Sequence, residues 1–438
     1  MTVAPAISRQ VCAACGRVFS ETDPRRQCEC GGLLEVRHDH SGPRLTGAAL
    51  RALFDARRGA LHGPFLSGVW RYREMVLPTA GDDVVTYPEG NTPLLRRPGV
   101  TAWASGRGGG RTDLLLKHEG HNPTGSFKDR GMTVGLTNAR RVGATAVACA
   151  STGNTGAALG AYAALGGLPA LAFVPKGHVA LGKLMQLVAY GVRTLLVRGD
   201  FDACQELALA SSDQLGVYIL NSINPFRLEG QKTIVFELLQ QLAWEPPDWI
   251  VVPAGNLGNT AAFGKALAEA RDWGLITKLP RIAAVQAEGA APFAMSYREG
   301  FARRHRVEPH TVASAIRIGN PASYERAVRA IRETDGVVTT VPDADLLEAK
   351  AVIDAAGAGC EPASAASVAG TRRLIQEGII SAGARVVAVL TGHLLKDPES
   401  VIRYHQETAP APPGANRPIE IEPRLAEVER VLAKDSRR

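Results

Sequence analysis

Aromatic residues are scarce in this chain: Phe, Trp and Tyr make up 5% of its 438 residues. An all-β sandwich leans on aromatic and β-branched side chains, whereas the 46 glycines and many alanines suit closely packed α/β layers. No apolar run approaches the roughly 20 residues that cross a bilayer. Met1 to Gln10 lacks a charged-then-apolar pattern, so no secretory signal is expected and the expected compartment is the cytoplasm. Long basic tracts are missing too. The formal charge is +7 and the pI about 9.1, yet the excess is spread over pairs such as Arg25-Arg26, Arg57-Arg58 and Arg140-Arg141. A nucleic-acid surface clusters its charge and interleaves aromatics. The balance here reads as solvated surface plus pockets for anionic ligands. A disulfide framework is also absent. The seven cysteines are an odd number, and four crowd into the first thirty residues. Cys149, Cys204 and Cys360 stand scattered in apolar surroundings. That is metal-site spacing plus buried thiols.

What is present divides by pattern, and the length suggests about three domains. Residues 1–40 form a zinc-ribbon-like module, in which Cys12-x-x-Cys15 and Cys28-x-Cys30 on two tight turns offer four thiolates to Zn²⁺. Four thiolates leave no open position, so the metal is structural. The competing reading is four free thiols in a tail without fixed structure. Residues 41–86 read as an amphipathic connector, with Leu45, Leu50, Leu53 and Phe54 at helical spacing. From Asp113 to Leu395, short apolar runs alternate with longer amphipathic segments. The runs are 113–117, 146–149, 170–174, 193–197, 216–220, 249–252, 281–285 and 385–390. Such alternation predicts parallel α/β sheets, whose ligands bind outside the carboxyl ends of the strands. After a Pro-rich linker over 409–418, Leu425, Val428, Val431 and Leu432 line one face of a short helix, expected to pack on the body or a partner subunit.

Chemistry concentrates in the loops. Asn122-Pro123-Thr124-Gly125-Ser126-Phe127-Lys128 places one lysine at a helix entrance after a tight turn, as a positioned amine able to form a Schiff base with an aldehyde. Ser151-Thr152-Gly153-Asn154-Thr155-Gly156 follows a strand and offers hydroxyls, an amide and backbone N–H groups to an anion, with a carboxylate the natural fit. Gly255-Asn256-Leu257-Gly258-Asn259 follows another strand and can cradle a phosphate. It matches neither the dinucleotide nor the Walker pattern. Thr391, at a third strand end, can hydrogen-bond a heterocycle nitrogen. Each loop alone has a plainer reading, as a capped turn or, for Lys128, a surface ion pair. Together they supply what pyridoxal 5'-phosphate (PLP) needs: an aldehyde partner, a phosphate grip and a ring-nitrogen partner.

Over residues 89–398 the chain resembles the threonine synthase group of the tryptophan-synthase-β-like PLP enzymes. The resemblance is carried by Glu89-Gly90-Asn91-Thr92-Pro93-Leu94, the Lys128 segment, Ser151 to Thr155, and Asn224-Pro225-Phe226-Arg227-Leu228-Glu229-Gly230-Gln231. It continues through Gly255 to Asn259, Gly319 to Ser323, Glu361-Pro362-Ala363-Ser364 and Thr391-Gly392-His393-Leu394-Leu395-Lys396-Asp397-Pro398. The first forty residues resemble the zinc-ribbon extension of some members. The resemblance implies an α/β, fold type II architecture of two parallel-sheet domains beside the four-cysteine, zinc-ribbon-like module. The large PLP-binding domain is expected at 41–120 and 223–438, and the small one at 121–222. Lys128 would hold PLP as a Schiff base, Asn154 the ring 3-hydroxyl, Gly255, Asn256, Leu257, Gly258 and Asn259 the cofactor phosphate, and Thr391 the ring nitrogen. Ser151 and Thr152 would take the substrate carboxylate, and Arg227 the phosphate of O-phospho-L-homoserine. The implied reaction yields L-threonine and phosphate by γ-elimination and then β-addition of water. The expected partner is thus a small phosphorylated amino acid, with a homodimer implied by the family alone. Gly156, Leu394 and Cys360 depart from the family pattern and could reshape the substrate pocket. Action on O-phosphoserine or threonine by a related lyase, and a zinc-ribbon nucleic-acid-binding protein, are the competing readings.

Overall fold

The computed structural model describes residues 7–39, 45–106, 112–151, 153–176, 181–199 and 201–435. Its first unit is a three-stranded antiparallel sheet, order β2-β1-β3, from β1 (Ile7–Cys12), β2 (Val18–Ser20) and β3 (Leu34–Asp39). The connector that follows forms one clear helix, α1 (Gly47–Arg57), capped by Thr46 Oγ1 and buried through Leu50 and Phe54, as the helical spacing predicts.

A six-stranded sheet has the order β12-β11-β10-β13-β5-β4. Its strands are β4 (Leu94–Arg96), β5 (Asp113–His118), β10 (Trp249–Pro253), β11 (Arg281–Ala287), β12 (Val337–Val341) and β13 (Arg385–Leu390). All pairings are parallel except that of β4 with β5. A separate, wholly parallel sheet has the order β8-β7-β6-β9, from β6 (Ala146–Cys149), β7 (Ala170–Pro175), β8 (Arg193–Val197) and β9 (Val217–Ile219). Every apolar run named above becomes a strand of one of these two sheets. Two strands escaped that reading, β4 and β12. β4 has three residues, and Thr339 and Thr340 interrupt the apolar run of β12.

Helices cover both faces of the larger sheet, so successive strand residues enter different cores. Ile250 and Val252 join Val387 and Val389 on one side, while Val251 joins Val386, Ala388 and Leu390 on the other. Burial on both faces is why these strands read as unbroken apolar runs. The helices that matter for the site are α2 (Lys128–Arg141), α3 (Asn154–Gly166), α4 (Pro225–Gln231), α5 (Gly258–Asp272) and α6 (Pro362–Gln376). The last helix, α7 (Leu425–Asp435), does form, but Leu425 is 73% and Val428 42% exposed, so that face is not packed on this chain's body. Among the described residues no helix is long and apolar enough to cross a membrane.

Candidate active site

The turn leading to Lys128 is fixed by side chains that face backward. Asn122 donates from Nδ2 to Glu119 Oε2 at 2.9 Å and accepts from Gly90 N at 2.9 Å. Thr124 donates its backbone N and Oγ1 to Asp129, at 2.7 and 2.5 Å. Burial pushes the Asp129 carboxyl up to about 7. Two backbone bonds stitch the turn to the end of β13: Phe127 N to Thr391 O at 3.0 Å, and His393 N to Gly125 O at 2.9 Å.

Behind the turn lies a buried set of two cations and two anions. Arg130 forks onto Glu119 at 2.7 and 2.9 Å and reaches Glu237 at 2.8 Å. Lys117 Nζ lies 2.6 Å from the same Glu237 carboxylate. Glu237 in turn accepts the backbone N–H groups of Asn91 and Thr92, at 2.8 and 2.9 Å. The motif at 89–94 therefore holds the lysine turn from below, through charges that cancel inside the protein.

Lys128 opens α2 and is half-buried. Loss of water around its amine, with the Arg227 guanidinium adding, pulls it down to about 7, and Glu361 opposes that shift. Glu361 stands just before α6, and its carboxylate gathers the neighbours. Asn154 Nδ2 donates to its two oxygens at 3.1 and 3.0 Å, and Thr391 Oγ1 lies 3.3 Å from Oε1. Thr391 Oγ1 is also 2.9 Å from Ser364 Oγ. Burial pushes the Glu361 carboxyl upward. Glu361 and Ser364 stand inside a motif quoted above, but sequence reading gave them no role. Their partners are far along the chain, so no local spacing signals them.

The glycine-rich loop after β10 is closed from one side by residues 322–323: Ala322 N donates to Asn256 Oδ1 and Ser323 N to Asn256 O, both at 3.2 Å. Leu257 takes the left-handed conformation, φ 63°, to start α5. Buried polar groups are nearly always hydrogen-bonded, yet the hydroxyl donors Thr260 Oγ1 and Ser323 Oγ have no partner here. Unsatisfied groups around a helix N-terminus fit a bound phosphate. Arg227 on α4 is buried, donates from Nη1 to Leu220 O at 3.0 Å, and leaves Nε and Nη2 unpartnered. Burial lowers it to about 10. Ser151 is half-buried and accepts from Gly153 N at 3.3 Å. Thr152 lies outside the described residues.

Two of the three departures have a steric reason. A Cβ on Gly156 would stand 2.6 Å from Ser151 O, and one on Gly359 would stand 2.1 Å from Leu394 Cδ2. A bulky residue at 394 is thus accommodated by the glycine at 359. Cys360 is buried and forms a backbone bridge with His393.

The N-terminal cysteines converge. The sulfurs of Cys12, Cys15, Cys28 and Cys30 all lie within 4.8 Å of one another, with Cys12 to Cys30 at 3.5 Å and Cys15 to Cys28 at 3.7 Å. Zinc–sulfur bonds of about 2.3 Å on a tetrahedron require sulfurs about 3.8 Å apart, so the set fits that metal. A Cβ on Gly32 would strike Cys12 Sγ at 2.5 Å, which keeps that position clear.

Residues 85–392 match the family model described as pyridoxal-phosphate dependent enzyme. The chain is 41% identical to threonine synthase of Methanocaldococcus jannaschii over 430 residues, covering 97% of this chain and 99% of that one. It is 43% identical to threonine synthase of Methanosarcina acetivorans, covering 90% and 94%. Among solved structures, threonine synthase from Escherichia coli is similar in fold, with TM-score 0.70, 20% identity and coverage of 98% and 100%. Threonine deaminase isoform 2 from Solanum lycopersicum is similar at TM-score 0.61 and 21% identity, covering 71% and 87%.

Proposed function

The chain belongs to the pyridoxal-phosphate dependent enzymes, and on that premise we propose that it is a threonine synthase, a lyase that converts O-phospho-L-homoserine and water into L-threonine and phosphate. When bound, the cofactor supplies an electron sink for the charge left by removal of a substrate proton. Lys128 would hold the cofactor by its aldehyde carbon. Its Nζ would also be the group that moves protons at the substrate's α-carbon and β-carbon. A base poised near pH 7 suits that work, and the depressed Lys128 amine meets the condition.

The unsatisfied polar atoms around residues 255–259 support a cofactor-phosphate role for that loop. Asn154 would take the ring hydroxyl and Thr391 the ring nitrogen. Ser151 and Thr152 would take the substrate carboxylate. Residues 41–120 and 223–438 would form the larger, cofactor-holding unit and 121–222 the smaller, a division supported by the two separate sheets.

The substrate assignment rests most on Arg227. A fully desolvated guanidinium beside Lys128, with Nε and Nη2 both free, is built to receive a bidentate oxyanion such as a phosphoryl group. The test is release of inorganic phosphate from phosphohomoserine against phosphoserine. Preference for phosphohomoserine with threonine as product supports the assignment. Preference for phosphoserine contradicts it.

The four N-terminal thiolates would hold one structural zinc. Metal analysis of the purified chain is expected to find about one zinc per chain, released when Cys12 is replaced by Ser. A zinc-free protein with an ordered N-terminal sheet would contradict this.

A further inference from the structure

Helix α4, seven residues long, carries three outward-reaching side chains with separate destinations. Arg227 is buried against Leu220 O, near enough to Lys128 for its charge to act there. Gln231 Oε1 would lie 3.3 Å from a Cβ on Gly258, at the start of the phosphate loop's helix. Glu229 points the other way, into the N-terminal module.

One side of α4 is pressed against α2. A Cβ on Gly230 would stand 1.8 Å from Arg130 O, and one on Gly131 would stand 2.8 Å from Arg227 O. Only glycine permits this approach, so α4 cannot shift toward Lys128. The other side is held by β3 of the cysteine module. His38 Nε2 lies 3.0 Å from Glu229 Oε2, and His38 Nδ1 lies 2.9 Å from Ser8 Oγ. Lys265, on α5, donates to both Val36 O and Glu229. Lys232 lies 2.5 Å from Glu229 and 2.7 Å from Glu269. Arg329 pairs with Glu35, and Arg326 donates to Leu34 O. His38 and Glu229 side chains are 5% and 1% exposed. The cysteine module is thus seated through a buried hydrogen bond between His38 and Glu229, a carboxylate that also pairs with Lys232 and Lys265.

We propose that the cysteine module is a clamp on α4, with His38 and Glu229 as its joint, and that it thereby holds Arg227 in place for the phosphoryl group. The inference rests on the phosphate role of Arg227 given above. Glu229 and His38 are positioning residues: they touch neither substrate nor cofactor and act through two residues of helix. Without the module, water enters around Glu229, Lys232 and Lys265, and α4 keeps only its contacts with α2 and α5 and the Lys232 bond to Met75 O.

The test titrates inorganic phosphate into the cofactor-loaded enzyme by calorimetry, beside steady-state kinetics. His38→Ala is expected to keep cofactor content and absorbance, to weaken phosphate binding by about fivefold or more, and to raise KM by a similar factor with kcat within about twofold. His38→Gln, which keeps a donor at the Nε2 position, restores both. A general loss of structure would lower kcat and cofactor content together and would not be rescued. Unchanged phosphate affinity and KM in His38→Ala, or equal weakening in His38→Gln, overturns the clamp. Arg227→Ala separates the two claims. If it binds phosphate as the parent does, the phosphoryl assignment itself fails. If it loses phosphate while His38→Ala does not, the clamp alone fails.

Discussion

Asn154 and Glu361 meet across the two larger sheets: the amide that begins α3 donates to the carboxylate of the residue just before α6, at 3.0 Å. Because Thr391 reaches the same carboxylate, one buried acid sets the orientation of both proposed ring partners. Replacing Glu361 by Gln keeps the size but turns an acceptor pair into one acceptor and one donor. That leaves a buried group mispaired, at a cost of about 1–3 kcal/mol. Cofactor affinity should fall roughly tenfold, read from absorbance titration of the cofactor-free protein. Affinity equal to the parent's would exclude Glu361 from the ring-binding set.

The amine of Lys128 supplies a pH signature. It is held at about 7 against an ordinary 10.5, so it is neutral above about pH 7. A neutral amine is what attacks an aldehyde. Covalent loading of the cofactor-free protein should therefore accelerate as pH rises through about 7 and then level off. The linkage sign agrees: between pH 7 and 10.5 the unfolded chain binds more protons than the folded one, so this group's contribution to stability improves as pH rises across that window. A loading rate still climbing at about pH 9 to 10 would mean an ordinary, hydrated lysine.

Beneath the site, Glu237→Gln tests the buried charge set. Glu237 holds Arg130 and Lys117 and is kept well below the usual carboxylate range by those two cations. Neutralising it strands one buried positive charge, worth about 3–5 kcal/mol of lost stability. The expected result is a clear drop in the denaturant midpoint, accompanied by weaker cofactor retention because one of the Asn91 and Thr92 N–H groups loses its acceptor. A midpoint within error of the parent's would show the set to be dispensable.

The strands of the core were legible because Val251, Ala283 and Ala388 sit in runs buried on both faces, which no solvated loop resembles. The lysine turn and the glycine-rich loop were legible for the same kind of reason: their residue types are chosen by backbone geometry close in sequence. Glu361, Ser364 and the pair His38 and Glu229 were not, since each acquires its meaning from a partner tens to hundreds of residues away. β12 hid behind Thr339 and Thr340, whose hydroxyls mask a buried strand in any count of apolar residues. The stripe on α7 reads as packing on the body or a partner subunit, and the body leaves Leu425 and Val428 exposed. Leu425 and Val428 form a regular stripe, yet regular spacing states only that a helix has an apolar side, not that this chain covers it.

The most direct test of the account is covalent mapping. Borohydride reduction of the cofactor-loaded protein, followed by digestion and peptide mass analysis, should place a pyridoxyl group on Lys128 and leave Lys117, Lys232 and Lys396 unmodified. A label on any other lysine, or none on Lys128, would contradict the proposed chemistry at its first step.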